Sequence, residues 1–480
     1  MKRLISALII LALTTAFFIS CSDTGEAVIN TDVVSDTAAE QTEGTTDAQS
    51  TVEVNDYEGY IFKIVSTNQN DRHTDFVAEE ENGATLNDLV FRRNLQVEEK
   101  YNITLEPVAM DFGSINALIQ KNVSAGDNSY DLHMSNATAY TLASGGYLMA
   151  LNTVPGLDIA KPWWDQDAIS GMSIGGNIYM ITGDITPNGM LSSECVLFNK
   201  NLFDARSIKY PYDSAFAGTW TLDEMYEICG DLTEDINGDG KLDSKTDLFS
   251  ITCWFDAAHG FFYGAGGRMT EKDSEDIPSL CWDIEKYTDI YTKIYDVIIT
   301  SNGFYSTVDH EYSFKVFEEG RAYFCELSFQ KVGTFLRNMN DDYGVLPLPK
   351  YDEAQTRYVS DMTGACSMMV VPVTIEDPER TGNIIDALGA AAYDMISPSL
   401  YDVIASVKNV RDEESAEMVQ LIIRNRIFDM SHMYYIAGDD YVYDLLKSKS
   451  TDVASYFAKR EKTAQKTLDK LIEDFLANNA

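Results

Sequence analysis

The sequence predicts an α/β protein folded as two lobes. Three observations carry this reading. β-Branched and aromatic runs alternate with helical patterns in the first third of the chain, and the alternation resumes after an irregular centre containing Gly and Pro. The third is length: 480 residues amount to about three ordinary domains, or two with targeting and tail segments.

In order, Tyr60 to Val65 reads as a first strand, Asn87 to Tyr101 as a helix, and Ile103 to Val108 as a second strand. Ile115 to Val123 is helical and Asp131 to Met134 a short third strand. Strands alternating with helices indicate mostly parallel sheets covered on both faces. Asn177 to Ile181 and Cys195 to Asn199 read as strands flanking the loop 183–189. Leu222 to Leu232 is a helix that Thr221 can cap, with Glu224 three positions on. Cys281 to Ile299 has helical spacing, Glu319 to Phe324 reads as a strand, and prolines hold Tyr343 to Pro349 extended. Ala464, Leu468, Leu471, Ile472 and Phe475 form one stripe of a closing helix.

Acidic residues number 76 against 36 basic ones, a formal charge of −40. So negative a surface repels phosphate backbones and anionic headgroups, which excludes nucleic-acid binding through a basic patch. Hydrophobic content of 45%, with 11% aromatic, supplies a large core and excludes wholesale disorder.

Residues 1–20 join Lys2 and Arg3 to an apolar run from Leu4 to Ile19, the layout of an export signal. Phe18, Ile19 and Ser20 before Cys21 resemble a bacterial lipobox. Lipid on Cys21 would hold the chain at the outer face of the cell membrane. Residues 21–56 carry no Lys or Arg and few apolar positions, and read as a disordered acidic tether. As a coil of about 35 residues it would span roughly 30–35 Å. Cys195, Cys229, Cys253, Cys281, Cys325 and Cys366 remain, none in C-x-x-C spacing and most in apolar runs. They read as buried free thiols.

The sharpest local motif begins at Asp235. Asp235, Asn237, Asp239 and Asp243 put oxygen donors at relative positions 1, 3, 5 and 9, with Gly240 at 6 and the Lys241 carbonyl at 7. An all-oxygen set suits calcium, as a structural cofactor. Position 12 is Thr246, with Asp247 one place later. The alternative is an Asx-rich surface loop without metal.

Motifs for zinc hydrolysis, serine nucleophiles and phosphate loops are absent, and His73, His133, His259, His310 and His432 are scattered without ligand spacing. Aromatic residues are more informative. Trp163, Trp164, Trp220, Trp254, Phe255, Phe261 to Tyr263, Tyr434 and Tyr435 fall in segments that read largely as loops or element ends. Flat rings stack on the C–H faces of sugars while carboxylates and amides take hydroxyls, so this population suggests a carbohydrate cleft.

The order and spacing of Lys161 to Asp165, Ser173 to Tyr179, Thr219 to Met225, the Asp235 loop, Glu319 to Ala322, Tyr343 to Glu353 and Arg411 to Met418 resemble the family 1 extracellular solute-binding proteins. These are sugar-receptor lipoproteins of bacterial ABC importers, and the match resembles those of Gram-positive anaerobes. The resemblance implies a periplasmic-binding-protein-like fold of type II, a monomer that binds without catalysis. Lobe 1 would comprise 57–190 and about 350–400, and lobe 2 191–349 and about 401–480. A mono- or oligosaccharide would bind between the lobes and pass to the permease. Asn136, Tyr140, Glu194, Trp254, Phe255, Glu326 and Asp361 are the cleft residues it implies. Two alternatives stay open: a surface glycoside hydrolase built on paired carboxylates, and a sensor or peptide-binding module without transport.

Overall fold

A computed structural model describes residues 52–308, 310–399, 412–438 and 441–478. Cys21, the export segment and most of the tether lie outside them. Val52 already packs into a core, so the folded chain begins before residue 57.

The first sheet follows the alternation read from the sequence. Strand β1 (Tyr60–Thr67) runs parallel to β2 (Ile103–Met110), from Tyr60 opposite Ile103 to Thr67 opposite Met110. Strand β3 (Leu132–Ser135) joins the other edge of β1 in parallel. Helix α1 (Thr85–Tyr101) ends where Asn102 turns left-handed, and α2 (Ile115–Ala125) where Gly126 does.

The second lobe holds a five-stranded sheet. The chain enters it through β4 (Glu194–Asn199), passes α3 (Leu222–Cys229) and reaches β5 (Phe249–Trp254) and α4 (Ala257–Gly264). Thr221 Oγ1 accepts from the Glu224 amide at 3.3 Å, the expected cap. A hairpin of β6 (Thr270–Lys272) and β7 (Pro278–Leu280) precedes α5 (Ile284–Tyr295) and β8 (Phe304–Ser306). Strand β9 (Ala322–Ser328), α6 (Phe329–Phe335) and β10 (Tyr343–Leu346) complete the lobe, in the order β10-β4-β9-β5-β8. This sheet is mixed rather than mostly parallel. β5 runs parallel to β8 and β9, whereas β4 is antiparallel to both its neighbours because the chain enters there from the other lobe.

The return crossing contains β11 (Ser360–Asp361), after which β12 (Met368–Val370) adds an antiparallel edge to β3 and α7 (Pro378–Met395) packs on α1 through Val90, Ala392 and Ile396. After α8 (Glu413–Arg424), β13 (Arg426–Ile427) pairs in parallel with β11, and Ser193 bridges Met362. Three crossings between the lobes are therefore hydrogen-bonded side by side, which makes them the hinge.

Two expectations change. Asn177 to Ile181 is buried but forms no ladder; Ile181 makes a single bridge to Met369. Nor does 401–480 belong wholly to lobe 2. Met418, Val419 and Ile422 fill its core, but Phe428, Met430, Met433 and Tyr434 fill that of lobe 1. The closing helix α9 (Val453–Ala477) starts against lobe 2 through Val453 and Phe457 and ends against lobe 1 through Ala464, Leu468, Leu471 and Phe475. The six cysteines from Cys195 on are free thiols, buried except for half-buried Cys281. Among the described residues, no helix is long and apolar enough to cross a membrane.

Candidate functional site

A cavity of about 290 Å³ lies between the lobes, with the hinge as its floor. Topology explains which residues reach it. In α/β sheets ligands gather at the carboxyl ends of parallel strands, where the loops begin. Lobe 1 presents Phe112 just beyond β2, and Asn136 and Thr138 just beyond β3. Asn136 Oδ1 accepts from the Thr138 amide at 3.1 Å and its hydroxyl at 2.5 Å, holding that turn. Lobe 2 presents Phe255, Asp256 and His259 beyond β5, together with Glu194 from the antiparallel β4, whose start lies at the same rim. The hinge supplies Asp361, and Thr363, His432 and Tyr435 follow from the adjoining lobe 1 segments.

Carboxylates dominate the floor. Glu194 and Glu326 are 2% and 1% exposed, and their register (Glu194 opposite Ser328, Val196 opposite Glu326) puts both on one sheet face. Burial raises the pKa of each, and the Glu194 charge raises Glu326 further, so Glu326 is the one that keeps its proton. Burial opposes the charge on Lys331, but Glu194, Asp256 and Glu326 outweigh it and lift its pKa above the ordinary value; Lys331 Nζ lies 3.3 Å from Asp256 Oδ2. Burial likewise opposes a charge on His432, whose Nδ1 lies 2.8 Å from Asp361 Oδ2, and Asp361 holds its pKa above the usual histidine value. His259, against the His432 ring at 5.0 Å, is driven well below by burial and by that neighbour, and stays neutral. The His432 ring also stacks on Tyr263, at 5.8 Å and 12°.

Of the expected cleft residues, the fold brings Asn136, Glu194, Phe255 and Asp361 to the cavity wall. The other three stand one layer back. Tyr140 packs against Tyr434 and Tyr435, Trp254 lies against the Phe255 ring at 4.8 Å, and Glu326 is behind Glu194. The histidines are not all scattered: His259 and His432 meet across the hinge, from elements whose approach no local spacing reveals. Most of the aromatic population is core instead of cleft. Trp220, Phe261, Phe262, Tyr263 and Tyr434 are buried, and Trp163 and Trp164 both donate to Asp386 Oδ1, at 2.8 and 3.2 Å. Phe255 and Tyr435 alone of that group reach the cavity, joined by Phe112.

The Asp235 loop lies away from the cavity and is closed by its own bonds. Asp235 accepts from the amides of Gly238 and Gly240, Asn237 from Asp239, and Asp239 from Lys241. Asp243 accepts from Lys245, and Asp247 ties the ends by accepting from Ile236 at 3.0 Å and Asp243 at 2.7 Å. Gly238 and Gly240 take φ of 72° and 80°, which favours glycine there. The donors suit a hard cation in type. Their spacing does not yet form a cage: among the described residues, no three His, Cys, Asp or Glu side chains are grouped to hold a metal ion.

Comparison with known proteins agrees with this architecture. Residues 96–412 match the family of bacterial extracellular solute-binding proteins. No curated protein matches the chain significantly in sequence. Among solved structures, the GacH receptor of Streptomyces glaucescens, determined unliganded and with acarbose, is 14% identical over 87% of this chain and 99% of its own, with a TM-score of 0.53. UspC of M. tuberculosis is 12% identical over 85% and 100%, at 0.56. MalE of Bdellovibrio bacteriovorus, bound to maltotriose, is 15% identical over 86% and 100%, at 0.53. At these identities the likeness is one of fold. The chain belongs to the bacterial extracellular solute-binding proteins, in the two-lobed type II periplasmic-binding fold.

Proposed function

We propose that this protein captures a saccharide between its lobes and delivers it to the permease of an ABC importer. The observation that carries this is the cavity walled by both lobes and floored by the hinge. A ligand touching both walls favours the closed arrangement by its extra contacts there, and closure can be read by a partner. The wall chemistry suits a polyol. Phe255, Tyr435 and Phe112 offer aromatic rings, while Glu194, Asp256 and Asp361 accept hydrogen bonds from hydroxyls. At about 290 Å³ the space lies at the low end of ligand pockets, roughly 300–1,000 Å³, and suits one or two sugar rings. Structural neighbours named for acarbose, maltotetraose and maltotriose complexes support the same class.

In this reading the mature chain is a monomer anchored by lipid on Cys21 at the outer membrane face, and it turns nothing over. The oxygen donors of the Asp235 loop support a structural calcium ion, which would draw Asp235, Asn237, Asp239, Asp243, the Lys241 carbonyl and Asp247 inward. Calorimetry against a glycan panel, with reducing-end release followed in parallel, tests the reading. Stoichiometric binding without product is expected; sustained product would replace it with a hydrolase.

A further inference from the structure

The charges around the cavity do not balance. Among the described residues its walls present three carboxylates, Glu194, Asp256 and Asp361, and no lysine or arginine. Lys331 reaches Asp256 from behind, and His432 touches Asp361. Glu326 is neutral while it keeps its proton, and Lys331 serves Glu194 and Asp256 together. One negative charge is therefore left over between those two, of which Glu194 is the deeply buried one on the cavity wall. That side chain is 2% exposed, lines the cavity, and apart from the protonated Glu326 beside it neither carboxylate oxygen meets a hydrogen-bond partner.

A neutral sugar can donate hydroxyls to Glu194, but it leaves a net negative charge sealed in a space from which closure removes water. Burying a charge without a counter-charge is strongly unfavourable. An ammonium group donates and neutralises at once. The chain's formal charge of −40 adds a long-range field that attracts cations.

We propose that the cavity takes a saccharide bearing a protonated amino group, seated on Glu194 with its ring against Phe255 and Tyr435. This deepens the saccharide reading above and rests on it.

Glucose, glucosamine and N-acetylglucosamine, with cellobiose, fully de-N-acetylated chitobiose and diacetylchitobiose, form two matched sets that differ only at C2. Calorimetry of the folded wild-type chain at low salt, below the amine's own pKa, compares them without any variant. The amino member of a set should bind roughly tenfold or more tighter than its hydroxyl and acetamido partners, and the margin should shrink with added salt. Glu194→Gln should narrow that ratio; an unchanged ratio overturns the role of Glu194. A neutral member binding as tightly as its amino counterpart overturns the inference and leaves saccharide capture standing. Heat from spermidine or a cationic peptide and from no sugar overturns saccharide capture itself, and this inference with it. No heat from any of them ends both.

Discussion

Arg72 of the first lobe donates from Nη2 to Gln330 Oε1 of the second at 3.3 Å, and both side chains are buried. Arg72 also lies over the ring of Phe112, which lines the cavity. The contact therefore fastens the lobes beside the ligand space. Removing it with Gln330→Ala should loosen closure and weaken ligand binding about fivefold, the net worth of one hydrogen bond, about 1 kcal/mol, at this long separation. Small-angle scattering of the unliganded variant should report a larger radius of gyration. Identical radius and affinity would show the contact to be idle.

His133 makes acid pH costly. It is 1% exposed on β3, neither ring nitrogen has a hydrogen-bond partner, and burial pulls its pKa down to about 3. The folded state holds the neutral ring, whereas the unfolded chain protonates near 6.5. Stability is therefore full above 6.5 and falls by about 1.4 kcal/mol per pH unit between there and 3. Asp75 and Asp184, raised to about 7 chiefly by burial, act in the opposite sense, since their folded forms prefer the proton. The difference between wild type and His133→Leu isolates the histidine. Chemical denaturation at a series of pH values should show the variant losing less stability than wild type below 6.5; parallel curves would contradict this.

Gly171 leaves room for the hinge. A Cβ there would stand 2.3 Å from the carbonyl oxygen of Phe428, directly after β13. Gly171→Ala should push that segment aside, costing about 1–3 kcal/mol in overpacking and weakening ligand binding as well. Thermal melts and calorimetry read the two effects separately. A variant as stable as wild type would mean the hinge strand yields freely.

Calcium should stiffen the Asp235 loop. If the ion binds, saturating calcium should stabilise the chain by about 2–3 kcal/mol, and chelation should remove that increment. Asp235→Ala lowers the baseline by freeing the Gly238 and Gly240 amides, so the deciding quantity is the calcium-dependent rise, which should vanish. Wild-type melts that coincide with and without chelator would retire the ion.

The sequence made the first lobe readable because its elements are locally self-consistent. Phe62, Ile64 and Val65 fill one short β run, and α1 stops where Asn102 can turn left-handed. Ile181 misled because an apolar run reports burial, and only a neighbouring strand decides whether a ladder forms. The stripe on α9 was plain, but which core each part faces depends on lobe placement that a stripe does not encode. At the site, Asn136, Glu194, Phe255 and Asp361 were reachable through family likeness. His432 and Lys331 were not: each matters for a carboxylate it meets only after folding, in a chain where carboxylates abound.

The last helix has a mechanical consequence. A single rod of about 37 Å is rooted at one end in each half of the molecule. Neither half can melt while the other stays intact without stripping that rod from its bed, so scanning calorimetry should record one endotherm. Proteolytic nicking near Arg460 should split it into two.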